Sequence, residues 1–274
     1  MPKRNGLYYD FVGFPLANAK IEDLDAYPWP DPKDKDRFVE PKRTAKRLYD
    51  KGEYAIGVPA PIGAGFFEQS WWLRGMENLM LDMINNHKFV EALMERLLQV
   101  YMEAWDGLLN VAGEYADFVQ IGDDLCAQNG PLMSPTLYRK FIKPRARKLI
   151  EFIRKRTKAP IFFHCCGSVY QLIPDLIEIG VDILNPVQVS AANMDTKKLK
   201  KEFGKDIVFW GGVDTQHVLP HGNPETVREE VKRIIDDLAP GGGFVFSTVH
   251  NIQNDVPPEN LWTMYEMVYT YGRY

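Results

Sequence analysis

The 274-residue sequence predicts an α/β protein that is built on a parallel β-sheet. From Asp117 onward, short apolar runs alternate with longer segments whose apolar residues recur at helical spacing. Such alternation indicates parallel strands joined by helical crossovers, because parallel strands cannot be connected by tight turns. Two architectures satisfy the pattern, a (β/α)8 TIM barrel and a doubly wound open sheet. No G-x-G-x-x-G motif follows a predicted strand, which weakens the dinucleotide-binding version of the open sheet.

The predicted strands are short, apolar and bounded by turn residues. They cover residues 54–58, 117–121, 160–164, 181–184, 207–210 and 243–247. The predicted helices cover residues 72–84, 87–112, 135–156, 169–179, 196–203, 224–238 and 258–271. Six strands do not complete a barrel of eight, and residues 8–12 are a candidate seventh. Either the N-terminal part is atypical, or the chain lacks its first strands, or a partner supplies them.

Residues 1–45 are predicted to be an irregular segment that packs on a barrel domain of residues 46–274. Prolines recur through this segment, and the sequence Trp29-Pro30-Asp31-Pro32 is incompatible with a regular helix or a central strand.

Composition and charge exclude several classes of function. The chain has 33 basic and 37 acidic side chains, so a broad basic surface for nucleic acid is not expected. No apolar run is long enough to cross a membrane, and the N-terminus lacks the apolar core of a signal peptide. Three cysteines do not build a disulfide framework, which fits a reducing, cytoplasmic location.

The sharpest candidate site is the sequence His164-Cys165-Cys166-Gly167, where a predicted strand ends. Residues i and i+2 of a strand point to the same side, so His164 and Cys166 can reach one metal ion while Cys165 packs on the other side. A nitrogen and a sulfur ligand together suit Zn²⁺. His250, which follows the last predicted strand, is the candidate for a third ligand, leaving one coordination position open. The alternative is that His164 and Cys166 are ordinary packed residues beside a pocket.

Four more polar residues follow predicted strands and are candidates for catalysis. Asp123 and Asp124 are adjacent carboxylates, suited to act as a base or a substrate anchor unless they cap a turn. Gln188 and Asp214 either orient a substrate or brace loops. In a barrel, all these positions lie at the C-terminal ends of strands, which form the catalytic face.

Two further local predictions concern turns. Ser134-Pro135 is predicted to cap and begin a helix. His217 and His221 are predicted to be surface histidines, since Pro220 opposes a helix that would present both.

These motifs resemble the uroporphyrinogen decarboxylase superfamily, including its cobalamin-dependent methyltransferase branch. The residues that carry the resemblance are 122–125, 130–135, 164–168, 180–188, 209–216, 250–253 and 256–260. The resemblance implies a (β/α)8 barrel that is short by about two strands.

The resemblance also implies a chemistry. The methyltransferase branch binds zinc through a His-x-Cys pair and a later cysteine, and His164 and Cys166 match that pair. No cysteine follows Cys166, and His250 stands near the place of the third ligand. The expected function is therefore zinc-dependent transfer of a methyl group between a small substrate or thiol and a corrinoid carried by a partner protein.

Two alternatives stay open. One is a decarboxylase (a carboxy-lyase) of the uroporphyrinogen type, although the arginine-rich segment that those enzymes carry near their start has no counterpart here. The other is a non-catalytic barrel subunit. Pairing as a homodimer or with a complementing chain is open in each case.

Overall fold

A computed structural model of the chain describes residues 11–63 and 65–273. The strands are β1 (Gly57–Pro59), β2 (Phe118–Gly122), β3 (Cys126–Ala127), β4 (Gly130–Pro131), β5 (Ile161–His164), β6 (Ile183–Asn185), β7 (Val208–Trp210) and β8 (Phe244–Val245). The helices are α1 (Asp23–Ala26), α2 (Val39–Lys51), α3 (Phe66–Arg74), α4 (Met76–Asn85), α5 (His87–Ala112), α6 (Pro135–Leu137), α7 (Lys143–Arg154), α8 (Ile173–Glu178), α9 (Thr196–Phe203), α10 (Val218–His221), α11 (Pro224–Leu238) and α12 (Pro258–Tyr271). Short 3₁₀ turns cover Lys35–Phe38, Gly113–Tyr115 and Tyr170–Leu172, and a π-helical turn, Tyr138–Ile142, joins α6 to α7.

Six strands are hydrogen-bonded into one sheet in the order β1-β2-β5-β6-β7-β8. The pairs β1/β2, β6/β7 and β7/β8 are parallel. The order follows the chain without a reversal, whereas a doubly wound sheet reverses at a switch point. The predicted α/β class and all six predicted strands are thus confirmed, and the order is that of a TIM barrel.

Two elements near the N-terminus differ from the predictions. The candidate strand at residues 8–12 falls largely outside the described residues, and residues 11 and 12 belong to no strand. Helix α2 begins at Val39, inside the segment predicted to be irregular. Pro41 is compatible with it because it lies in the first turn, where a backbone N–H has no partner within the helix.

Two further differences arise at turns. The helix predicted at 72–84 is two helices, because the chain turns between α3 and α4 at Gly75, whose φ is +90°. Pro220 lies in a helix of a single turn, α10, which includes His221 but begins after His217, so no helix presents both histidines, as predicted. The two-stranded antiparallel ladder of β3 and β4 was not predicted; its short strands lack a periodic apolar pattern.

Four helices agree with the predictions residue for residue, whereas the helix predicted at 135–156 consists of α6, the π-helical turn and α7 and ends at Arg154. Helices α5, α9, α11 and α12 have the predicted bounds. Local capping explains part of this agreement: the Asn223 side chain accepts a hydrogen bond from the Thr226 N–H at 3.0 Å, directly before Pro224. The predicted Ser134 cap is also confirmed, since its Oγ accepts from the Leu137 N–H at 3.3 Å.

The chain forms two compact units. The first comprises Met1–Asp124, Met133–Phe162 and Glu178–Val181, and the second comprises Leu125–Leu132, Phe163–Ile177 and Asp182–Tyr274. In the first unit α5 packs against α2, α4 and α7 and buries Trp105. In the second unit α11 packs against α9 and α12, with Val231 fully buried. Within the described ranges, no helix combines the length and the apolar character that a bilayer span requires.

Candidate metal centre and a buried carboxylate cluster

His164 and Cys166 come together at the end of β5, as their spacing predicts. Strand β5 ends at His164, and the Cys166 Sγ lies 3.3 Å from the His164 Nε2. The backbone then turns at Gly167, whose φ is +90°. A Cβ at this position would lie 2.7 Å from the Ala127 carbonyl oxygen, so the turn requires glycine. Cys165 is fully buried, which confirms its predicted packing role.

His250 reaches the same site from the chain that follows β8. Thr248 forms an isolated parallel bridge with Val213, and the Val249 N–H donates to the Val213 carbonyl at 2.9 Å. The Thr248 hydroxyl donates to the His250 carbonyl at 2.7 Å, which orders the segment that carries the imidazole. One ligand atom from each of His164, Cys166 and His250 lies within 4.8 Å of the other two.

This triad fits a zinc ion by its chemistry and its spacing. Imidazole nitrogen and thiolate sulfur are the ligands that zinc prefers. Tetrahedral zinc places a nitrogen and a sulfur ligand about 3.5 Å apart, close to the observed 3.3 Å between His164 and Cys166. All three side chains are partly exposed, so an exchangeable ligand can approach.

Two side chains, one at the end of β6 and one shortly after it, hold the loop that carries His164 and Cys166. The Asn185 Oδ1 lies 2.7 Å from the His164 Nδ1, and the Asn185 amide donates to the Trp210 carbonyl at 3.2 Å. The buried Gln188 accepts from the Gly167 N–H at 2.6 Å and donates to the Gln128 side chain at 2.7 Å. Gln188 therefore contacts the backbone immediately after Cys166.

Asp214, another predicted catalytic residue, orders the loop after β7. Its Oδ1 accepts from the Gln216 N–H at 2.7 Å and from the His217 N–H at 3.3 Å. Its Oδ2 lies 3.0 Å from the His217 Nδ1. The Asp214 side chain is only 9% exposed, whereas His217 is 69% exposed, in agreement with its prediction as a surface histidine.

Asp123 belongs to a different cluster, at the start of α3. Its carboxylate accepts from the Phe67 N–H at 2.8 Å and from the Glu68 N–H at 2.9 Å, so it caps this helix from a distant part of the chain. A Cβ on Gly65, the residue before α3, would lie 2.2 Å from the Asp123 Cβ, so this close approach also depends on glycine.

Glu68 completes this carboxylate cluster (Glu68, Asp123 and Asp124). Its Oε2 accepts from the Asp124 N–H at 2.9 Å. Burial, and then the negative charge of Asp124, raise the pKa of Glu68 to about 7. Burial, and then the charge of Glu68, raise the pKa of Asp123 well above its ordinary range, against the lowering effect of its two N–H donors. Glu68 thus changes protonation near neutral pH.

The structure therefore brings together the three predicted metal ligands and shows hydrogen-bonding roles for the side chains of Asp123, Gln188 and Asp214, and for the backbone N–H of Asp124. Glu68 was not a predicted site residue, because it lies before the helix predicted at 72–84 and nothing in the local sequence indicates its contact with Asp124. Asn185 was not a predicted site residue either. Its position beside β5 and its approach to His164 follow from strand pairing, shown by the Cys165 N–H that donates to the Asn185 carbonyl at 2.7 Å.

The chain belongs to the uroporphyrinogen decarboxylase family, because the family model of that name, uroporphyrinogen decarboxylase (URO-D), matches residues 14–271. Over 179 residues the chain is 28% identical to a uroporphyrinogen decarboxylase of Geobacter metallireducens, covering 65% of this chain and 48% of that relative. Over 247 residues it is 24% identical to a uroporphyrinogen decarboxylase of Staphylococcus aureus, covering 85% of this chain and 66% of that one. The chain thus spans about half to two thirds of the length of these curated relatives.

A solved structure shares the fold. A methyltransferase from Methanosarcina mazei superposes with a TM-score of 0.68 at 19% identity, covering 96% of this chain and 72% of that chain. At this identity the likeness concerns the fold, and it agrees with the TIM-barrel class that the sequence predicts.

Proposed function

We propose that this protein is a zinc-dependent methyltransferase that moves a methyl group between a small substrate or thiol and a corrinoid carried by a partner protein. The single observation that carries the proposal is the convergence of His164, Cys166 and His250 within 4.8 Å. Three protein ligands with an open fourth position are the pattern of catalytic rather than structural zinc sites.

The ligand set supports this chemistry. Bound zinc would lower the pKa of a coordinated thiol or polarise a donor heteroatom at the open position. The residues of this chain would supply the geometry: His164, Cys166 and His250 hold the ion, and Gln188 holds the backbone that follows Cys166. The fold shared with a methyltransferase agrees with the proposal, although the proposal rests on the triad.

Metal analysis of the purified protein tests the proposal. We expect about one zinc per chain, loss of zinc in Cys166→Ala, and retention of zinc in Cys126→Ala. Cys126 is a matched control because it is a buried cysteine outside the triad. Methyl transfer from methylcobalamin to a panel of thiols should disappear with the zinc. Full activity in a metal-free preparation would contradict the proposal.

A second candidate function, decarboxylation of a uroporphyrinogen-type substrate, is favoured by the carboxylate cluster. A decarboxylase must protonate a carbon after carbon dioxide leaves, and Glu68 has a pKa of about 7, which suits a general acid. Conversion of uroporphyrinogen to coproporphyrinogen by the wild-type chain, with loss in Glu68→Gln and no dependence on zinc, would establish this alternative in place of the first.

A further inference from the structure

We infer that Asn185 is a positioning residue that fixes the ring tautomer and orientation of His164, so that Nε2 is the metal-binding nitrogen. This inference rests on the proposed zinc site and adds to it a residue outside the ligand set. It is carried by the two hydrogen bonds that the Asn185 side chain makes.

The first step is the orientation of the Asn185 amide. One end of the side chain lies 3.2 Å from the Trp210 carbonyl oxygen, which can only accept a hydrogen bond. The NH₂ group must therefore face Trp210, and the Oδ1 must face His164. The amide cannot be flipped without setting two acceptors against each other.

The second step is the tautomer of His164. The Asn185 Oδ1 lies 2.7 Å from Nδ1, and an amide oxygen can only accept, so Nδ1 must carry the proton. In the neutral ring the lone pair is then on Nε2, the nitrogen that lies 3.3 Å from the Cys166 Sγ. The hydrogen bond at Nδ1 thus selects the nitrogen on the side of Cys166 and His250.

The third step is rigidity. Asn185 is the last residue of β6 and is 9% exposed. Its carbonyl accepts from the Cys165 N–H at 2.7 Å, so its backbone is hydrogen-bonded to the residue that lies between His164 and Cys166. Its backbone and its side chain therefore hold the same loop. Partners of metal-binding histidines typically change metal affinity by about 10–100-fold when they are removed.

A pair of variants isolates the acceptor. Asn185→Leu removes both hydrogen bonds, whereas Asn185→Asp keeps an acceptor for the His164 Nδ1 and replaces the donor to Trp210 with a second oxygen, whose repulsion from the Trp210 carbonyl turns the carboxylate toward His164. We expect zinc affinity, measured by competition with a chromophoric chelator, to fall about 10–100-fold in Asn185→Leu. In Asn185→Asp it should stay within about threefold of the wild type or tighten, since carboxylate partners serve the same role.

Asn260→Leu is the matched control. Asn260 is a fully buried asparagine whose amide donates to the Leu219 and Gly222 carbonyls, outside the triad. This variant should lose stability but keep its zinc affinity. Equal weakening of zinc binding in Asn185→Leu and Asn185→Asp, or in Asn185→Leu and Asn260→Leu, would overturn the inference.

Nitrogen NMR of the histidine rings in the zinc-free wild-type protein needs no variant. It should show His164 protonated at Nδ1, with the signal assigned by its loss in His164→Ala. Protonation at Nε2 would overturn the inference even if zinc binds. A wild-type chain that binds no zinc but shows the Nδ1 proton would instead contradict the proposed function and leave the role of Asn185 in orienting the ring intact.

Discussion

The metal triad and the carboxylate cluster both contain polar residues that follow strands, but they differ in what surrounds them. The triad is partly exposed, with Asn185 hydrogen-bonded to His164 and Gln188 to the backbone N–H of Gly167. In the carboxylate cluster Asp123 is 3% exposed and accepts two backbone N–H groups of α3. A position after a strand therefore identifies a polar residue as a candidate for a functional site. Its hydrogen-bond partners then show whether it is a metal ligand or a helix cap.

The largest expected effect concerns the third ligand. His250→Ala should lower zinc affinity on the order of 100-fold or more, because it removes one of three ligands. His250→Cys should retain much of the affinity, since thiolate is an equally suitable donor. Chelator competition measures both. Equal zinc binding by His250→Ala and the wild type would show that His250 is not a ligand, and the metal triad would then no longer differ from the carboxylate cluster in this respect.

Asp123 should contribute to the stability of the fold and not to zinc binding. Asp123→Ala leaves the Phe67 and Glu68 N–H groups without their acceptor, and we expect a loss of about 2 kcal/mol in the free energy of unfolding. Urea denaturation measures this loss, and zinc content should be unchanged. An unaltered unfolding curve would show that the cap contributes nothing, and a direct catalytic role would then be the better explanation.

Glu68 should make stability depend on pH. Its pKa in the folded chain, about 7, lies above the ordinary 4.5, so the folded state binds this proton more tightly than the unfolded state does. The contribution is fully present below about pH 4.5 and is lost as the pH rises through about 7, with an upper bound of roughly 3 kcal/mol.

Urea unfolding between pH 5 and 8 measures this effect. Glu68→Gln should reduce the decline in stability by about 1–2 kcal/mol, while Asp123, whose pKa is also raised, leaves a residual slope. Glu91→Gln, at an exposed position of α5, is the control and should keep the wild-type slope. An identical slope in Glu68→Gln would show that Glu68 titrates normally.

The smallest effect is expected at His217. Its ring is 69% exposed and pairs with Asp214, so His217→Ala should change the free energy of unfolding by less than about 0.5 kcal/mol. Zinc content should be unaffected. A large loss of methyl transfer without loss of zinc or stability would instead make the Asp214–His217 pair part of the chemistry.

Features whose causes lie within a short segment of the sequence were predicted correctly more often than features that depend on distant residues. Helices α5, α11 and α12 have the predicted bounds because amphipathic periodicity and caps lie within the segment itself. The break at Gly75 was missed because isolated glycine also occurs inside helices. His164 and Cys166 are two residues apart, so spacing alone brings them together. The contribution of His250 and the contact of Asn185 with His164 depend on strand pairing. The raised pKa of Glu68 depends on burial and then on the charge of Asp124, 56 residues away.

The hydrogen bond from the Gly167 N–H to the buried Gln188 oxygen has a consequence for observing this protein at work. A backbone amide held this way exchanges with deuterated solvent only when the loop opens. Gly167 directly follows Cys166, so the exchange rate of its amide reports how often the loop that carries the Cys166 sulfur opens. A ligand or a docked partner that stabilises the closed loop would slow this exchange. Hydrogen-exchange measurement of the single peptide that contains Gly167 would detect the change without an assay of turnover.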